Sequence, residues 1–398
     1  MSIRVGDGAT TARAERWIAP PRLLTAGEEP EHRHASWLEL FFDLVFVVAV
    51  TQLSGVLVAD HSVGGFLRFT GLFIPVYVAW QGYMAYATRF DTDDLVFRAT
   101  YFVATLAIAS MAVLIDDVAR GVHTAGFVVA YVVLRALMLG LYWRAWRAVP
   151  EARPLIRFYG GGYSAGVAIW LLSLAFDTPA RYIVWGIALT LELSLPPLST
   201  RLHRRIPTSA SHLPERWALF TLIVLGESVV AVAVETSGAD WRFESALAAV
   251  VGFTGVAAVW WLYFDRQAGI SLRGSTLDVV IYSYAHIPLL MGLAALGAGL
   301  RLLIERAGED HLGAGPSVAL LGGAILFLLS LILTRTVTIG GPHWLGVALK
   351  LAAVALIGVF LAAEPALPPV AVGAGLAAVL VTVVYVERMF IARTPPTP

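Results

Sequence analysis

Glu39 and Asp43 stand four residues apart in SWLELFFDLVFVVAVTQLSG (residues 36–55), an apolar stretch long enough to cross a bilayer. Residues i and i+4 of a helix stack on one face, so the spacing predicts two carboxylates side by side within the membrane. A carboxylate at that depth costs roughly 2.5–3.5 kcal/mol on insertion scales, which turns it toward protein or water rather than lipid. The other acids inside predicted spans are Glu192 and Glu227, the bases are Arg135 and Lys350, and His286 can take a proton. Facing lipid, these six formal charges would together cost on the order of 18 kcal/mol, more than the stability of most domains. They are therefore expected to be paired, protonated or hydrated. Four acids against two bases leaves negative charge over, which is what binding a proton or a cation requires.

Glu227 follows Gly226, which would let backbone approach closely, and precedes the hydroxyl of Ser228. It reads as an ion-binding carboxylate or as one half of an ion pair with Arg135, and Asp43 carries the same two readings. Glu39, nearer the helix start, reads as a surface anchor or a partner for a linker arginine. Glu192 neighbours Pro196-Pro197 and reads as structural, and Lys350 as a side chain snorkelling to the surface. His286 precedes Pro288, which would kink its helix and free a carbonyl near the imidazole. A pH-sensitive role and a plain buried hydrogen bond are its two readings.

At the helix ends stand Arg89-Phe90-Asp91-Thr92-Asp93-Asp94 and Asp265-Arg266. Arg89, Asp91, Asp265 and Arg266 could form a cytoplasmic gate of alternating charge. Alternatively Asp91, Asp93 and Asp94 could hold a divalent cation for a diphosphate substrate; for Asp93 and Asp94 the plain alternative is solvated loop charge. No HExxH, P-loop or GxSxG occurs, His32-x-His34 lacks further ligands, and neither a cofactor nor a metal site is predicted.

The elements that position these residues follow from composition. The chain has 398 residues, 58% hydrophobic and 14% charged, where a soluble domain would carry about 25% charged residues. Apolar runs of helical-span length recur to the C-terminus, which defines an all-α polytopic bundle. Zero net charge argues against a nucleic-acid partner, and with no cysteine there is no disulfide frame or thiolate nucleophile. About twelve spans are predicted, near 36–59, 66–87, 97–117, 121–148, 155–176, 180–200, 216–236, 244–265, 278–304, 314–335, 343–362 and 367–390. With the N-terminus inside, 20 arginines fall in inner segments and 5 in outer loops, so the positive-inside rule puts both termini in the cytoplasm.

The spans also look doubled. Trp37 and Trp217, Tyr101 and Tyr282, and Phe90-Asp91 and Phe264-Asp265 recur at corresponding places. These matches predict a polar tail (1–35), a six-helix half (36–200), a basic linker (201–215) and a second six-helix half (216–398). Both halves would have the same orientation, as in parallel-repeat transporters.

Three stretches, SWLELFFDLVFVVAVTQL at the first span, ERWALFTLIVLGESVVAVA at 215–233 and WWLYFDR at 260–266, resemble the bacterial low temperature requirement A (LtrA) family, over about residues 35–390. The resemblance implies a multi-pass protein of the bacterial inner membrane. The residues themselves point first to a proton- or cation-linked permease for a small solute, using Asp43 and Glu227. The alternatives are a membrane-embedded, metal-dependent enzyme acting on a lipid or isoprenoid, and a non-catalytic membrane factor whose buried charges specify packing.

Overall fold

A computed structural model describes residues 17–24, 36–204, 206, 213–238, 242–265, 276–338 and 343–391. Apolar sequence and terminal capping produce long helices. Ser36 caps α1 (Trp37–Ala59), Ser62 caps α2 (Val63–Arg89) and Asp94 caps α3 (Leu95–Ala119), each side chain accepting from a backbone amide in the first turn. There follow α4 (Thr124–Ala148), α5 (Arg153–Leu172), α6 (Ala180–Leu198), the short α7 (Thr200–His203), α8 (Leu213–Gly238), α9 (Phe243–Phe264) and α10 (Thr276–Glu305). A turn at α11 (Ala314–Ser317) runs through a π-helical segment into α12 (Gly323–Thr338), and α13 (Trp344–Ala363) and α14 (Pro369–Val386) close the bundle. The two-residue strands β1 (Arg22–Leu23) and β2 (Phe90–Asp91) pair antiparallel, tying the N-terminal segment to the end of α2.

Eleven helices among the described residues are long and apolar enough to cross a membrane. The sixth predicted span corresponds to α6, which is 19 residues long but is diluted by Arg181, Glu192, Pro196 and Pro197. Exposed apolar side chains such as Phe102, Leu106 and Val113 on α3 form the surface that lipid would cover.

The centre of the bundle is α10. It packs on α8 and α12 and also touches α1, α2, α6, α9 and α14. Small residues allow this crowding: a Cβ added to Gly292 would lie 2.7 Å from the carbonyl oxygen of Gly323, and one on Gly299 would lie 2.4 Å from the Leu320 amide. The α10–α12 crossing is thus a backbone-to-backbone contact that larger residues would open.

Neighbour relations recur along the chain. In the first set α1 packs on α2 and α3, α3 on α4, α4 on α5, α5 on α6, and α2 on α6. In the second, α8 packs on α9 and α10, α10 on α12, α12 on α13, α13 on α14, and α9 on α14. The paired tyrosines Tyr101 and Tyr282 are both buried, whereas Trp37 is 88% exposed and Trp217 is 1% exposed. The tryptophan match is therefore one of sequence position and not of environment.

Candidate functional site

Most of the charge inside the bundle is bound up in closed clusters. The Ser36 cap starts α1 so that Glu39 and Asp43 both face the beginning of α8. There Arg216 donates from Nη1 to Glu39 and from Nη2 to Asp43 Oδ1, the latter at 3.0 Å, with Asp43 Oδ2 2.9 Å from the same nitrogen. The Trp80 indole donates to Asp43 Oδ1 at 2.9 Å and stacks on Phe220 at 4.2 Å between centroids. Asp43 is fully buried. A guanidinium shared by two carboxylates, with an indole donating to one of them, holds α1, α2 and α8 together, while Asp43 Oδ2 is buried without a hydrogen-bond donor.

Arg135 of α4 pairs with Glu192 of α6, not with Glu227. Tyr131 braces the pair, donating to Glu192 Oε2 at 2.6 Å and accepting from Arg135 Nη2 at 2.7 Å. Glu192 fits because Gly166 lies opposite; a Cβ there would sit 2.9 Å from Oε1. Lys350 does not snorkel: it donates to Glu387, which also takes Arg335 at 2.7 Å. His286 accepts from Tyr263 at Nε2 (2.9 Å) and donates from Nδ1 to the Tyr282 carbonyl (2.7 Å). That is a satisfied neutral imidazole, fully buried.

Glu227 differs. It is 3% exposed and lies near the middle of α8. Among the described residues no base lies within ion-pairing distance of it, and its one hydrogen bond is a long one from Ser54 of α1, at 3.4 Å. The nearest cationic side chain along α10, Arg301, is engaged with Glu235 at 2.9 Å. The Ser228 hydroxyl beside it is buried without a hydrogen-bond partner. Close approach at this point comes from Gly297 of α10, where a Cβ would stand 2.8 Å from Glu227 Oε2 and 2.9 Å from Ser228 Oγ. Gly226, singled out in the sequence, would meet nothing within 4 Å. In the sequence Arg216 is the first residue of the predicted span 216–236 and counts with the inner segments, not with the bases inside spans. Placed in the bundle, Arg216 is shared by Glu39 and Asp43 and Arg135 serves Glu192, which leaves Glu227 as the one of these four acids without a basic partner among the described residues.

Among the described residues, no ion pair joins Arg89, Asp91 and Asp265 of the suggested gate. Asp91 lies in β2, Asp265 ends α9 with Arg388 at 3.6 Å, and Arg266 lies outside the described residues. Nor do the aspartates converge as a metal site would need. Asp93 pairs with Arg98 at 2.7 Å, and Asp94 takes the Phe97 amide (2.9 Å), the Ala19 amide (2.9 Å) and Arg144 (2.6 Å). Desolvation pushes Asp94 upward, but these three donors prevail and hold it below the usual carboxylate range.

Arg89, the remaining gate candidate, turns inward. It is 7% exposed and its Nη2 donates to His203 Nδ1 at 2.7 Å, while Nε is buried with no acceptor. Burial, together with the adjoining guanidinium, pushes His203 down to about 3, so the imidazole is neutral and its Nδ1 lone pair is available to Arg89. The opposite ring nitrogen then donates to Tyr159 (3.0 Å), whose hydroxyl meets Ser199 (2.9 Å), which donates to the Pro196 carbonyl (2.9 Å). A cavity of about 460 Å³ opens in front of Arg89, between α2 and α4–α7 on one side and α8 and α10 on the other. That volume suits a small organic ligand. His203, Tyr159, Ser54 and Gly297 carried no motif. Arg216 and Trp217, by contrast, were in view within ERWALF at the head of an apolar run.

Fold and site define a polytopic α-helical membrane protein with a solute-sized cavity where the first and second sets of helices meet. The chain belongs to the bacterial LtrA family: the family model "Bacterial low temperature requirement A protein (LtrA)" matches residues 34–385. It is also similar to the "Uncharacterized protein RA0937" of Rhizobium meliloti (strain 1021), 25% identical over 364 residues, with 83% of this chain and 85% of that protein covered. Family and apolar helices together place the protein in the membrane.

Proposed function

We propose that this LtrA-family protein is a secondary permease in which Glu227 binds the coupling proton or cation. The observation that carries this reading is a carboxylate 3% exposed, midway along a membrane helix, without a basic partner among the described residues. A buried charge in that state carries a penalty of several kcal/mol, which a bound proton or cation removes. The recurring helix neighbours and the cavity at their meeting point support the reading, since parallel-repeat carriers bind solute where the repeats meet. The arginine bias supports placing both termini in the cytoplasm. Asp43, bound to Arg216 and Trp80, is assigned to structure.

The test is a flux assay. Proteoliposomes loaded with a pH-sensitive or a sodium-sensitive dye receive a defined mixture of amino acids, organic acids, nucleosides and sugars, and their contents are read by mass spectrometry. At least one solute is expected to accumulate with ion movement in wild type, and both are expected to disappear in Glu227→Gln while the protein still inserts and melts cooperatively. Accumulation and ion movement unchanged in Glu227→Gln would contradict the proposal, as would no solute accumulating at all.

A further inference from the structure

We propose that the cavity in front of Arg89 binds an organic oxyanion, a carboxylate or phosphate carried on an aromatic or apolar body, with Arg89 as the anion-holding residue. As the identity of a transported substrate this rests on the permease reading; as a binding site it stands without it.

The other two buried arginines among the described residues show what the bundle does with guanidinium charge. Arg135 faces Glu192 and Arg216 faces Glu39 and Asp43. Arg89 is buried to a similar degree, yet among the described residues its side chain meets only a neutral histidine. A guanidinium cannot shed its proton to escape burial, so its charge persists and the missing counter-charge is left to whatever fills the space in front of it. His203, held by the relay to Tyr159 and Ser199, takes an Nη2 hydrogen, which leaves Nη1 without an acceptor. The N–H groups of Nη1 can donate a charge-assisted hydrogen bond to an oxygen of a carboxylate or phosphate. Arg204 also lines the cavity and has no acidic partner among the described residues.

The remainder of the wall fixes the body of the ligand. Tyr142, Tyr159, Tyr163 and Trp217 line the space together with aliphatic side chains, a few polar ones and Glu192, whose charge Arg135 answers, and the aromatic faces are surfaces that a flat ring or short chain covers. An inorganic ion would satisfy the guanidinium and leave that wall to water. Along α2, Gln81, Ala85 and Arg89 follow at four-residue intervals and all line the cavity, which places Ala85 one turn deeper than the charge. A phenyl group there occupies the position of the ligand's body.

The test is calorimetric titration of the purified full-length protein in detergent with benzoate and phenyl phosphate, against inorganic phosphate, benzyl alcohol and benzylamine. Benzoate or phenyl phosphate is expected to bind at least tenfold more tightly than the three controls. Arg89→Gln is expected to weaken that binding at least tenfold without lowering the melting temperature, because it removes an uncompensated charge. Ala85→Phe is expected to weaken it as much with every charge in place, and it decides the matter should Arg89→Gln fail to fold. Binding of neither anion, preference for benzylamine, inorganic phosphate binding as tightly as phenyl phosphate, or anion binding untouched by both variants would each overturn the proposal. The flux assay separates it from the permease reading. Anion binding sensitive to Arg89→Gln without flux keeps the site and removes the permease. Ion-coupled flux of a solute carrying no negative charge, unaffected by Arg89→Gln, keeps the permease and removes the oxyanion site.

Discussion

Two buried arginines a few residues from helix ends behave in opposite ways. Arg216 is closed in by two carboxylates and the Trp80 indole; Arg89 opens onto a cavity with a neutral histidine for company. Both are more than nine-tenths buried, so burial alone does not distinguish a structural charge from an available one. What distinguishes them is whether the counter-charge belongs to the chain. The same contrast holds for the acids, with Glu192 answered by Arg135 and Glu227 left to a weak hydroxyl contact. We read the closed clusters as the packing code of the bundle and the two open charges as its working parts.

The sharpest way to break this contrast is to open a closed cluster. Arg216→Gln strands Glu39 and Asp43 beside each other, and removal of one side of a buried pair costs about 3–5 kcal/mol. Thermal denaturation in detergent is expected to show the largest loss of any variant here. Arg89→Gln, measured alongside, is expected to leave the melting temperature unchanged or raise it. Comparable losses in the two variants would erase the distinction.

A smaller effect is expected at Asp94, whose carboxylate both caps α3 and takes Arg144. Asp94→Ala should cost about 2 kcal/mol at neutral pH, in line with a lost cap and its charge partner. Because the folded protein holds Asp94 below its ordinary range, the unfolded chain takes up this proton first as pH falls. Its stabilising contribution is therefore complete above the unfolded value of about 3.9 and fades as pH drops through the lower folded value. The gap between wild type and Asp94→Ala should narrow only in that acid window; a gap independent of pH would show that the cap alone matters.

The smallest effects compare two glycines beside Glu227. Gly297→Ala forces a methyl group against Glu227 and Ser228 and should cost about 1–3 kcal/mol, as overpacking does. Gly226→Ala meets open space and should be neutral, or stabilising by up to about 1 kcal/mol through helix propensity. Equal effects would show that the contact at Gly297 has been misassigned.

How much of this was legible in the sequence depends on the range of the interaction. Glu39 and Asp43 lie four residues apart on one helix, so their shared face follows from helical geometry, and the apolar runs made the membrane bundle readable from composition. Their partner Arg216 lies 173 residues beyond Asp43, and no local rule announces such a pairing. Counting charges by span therefore found an acidic surplus but spread it over four residues, when three of the four are answered across the fold. Arg89 stands out in the sequence as part of the alternating charges at the end of an apolar helix. Its inward turn depends on His203, 114 residues on, and on a cavity that exists only once α2, α6 and α10 have packed. Gly226 attracted attention as a sequence neighbour of Glu227, yet the contact that matters comes from Gly297 on another helix.

The most direct measurement of the central claim is ion-coupled solute accumulation in proteoliposomes containing wild type or Glu227→Gln, with the melting temperature of each recorded in parallel. Glu227→Gln is expected to remain as stable as wild type, since the carboxylate has no basic partner among the described residues to lose, and its accumulation and ion movement are expected to vanish. A Glu227→Gln protein that transports as wild type does, or that loses stability as Arg216→Gln is expected to, would contradict that claim.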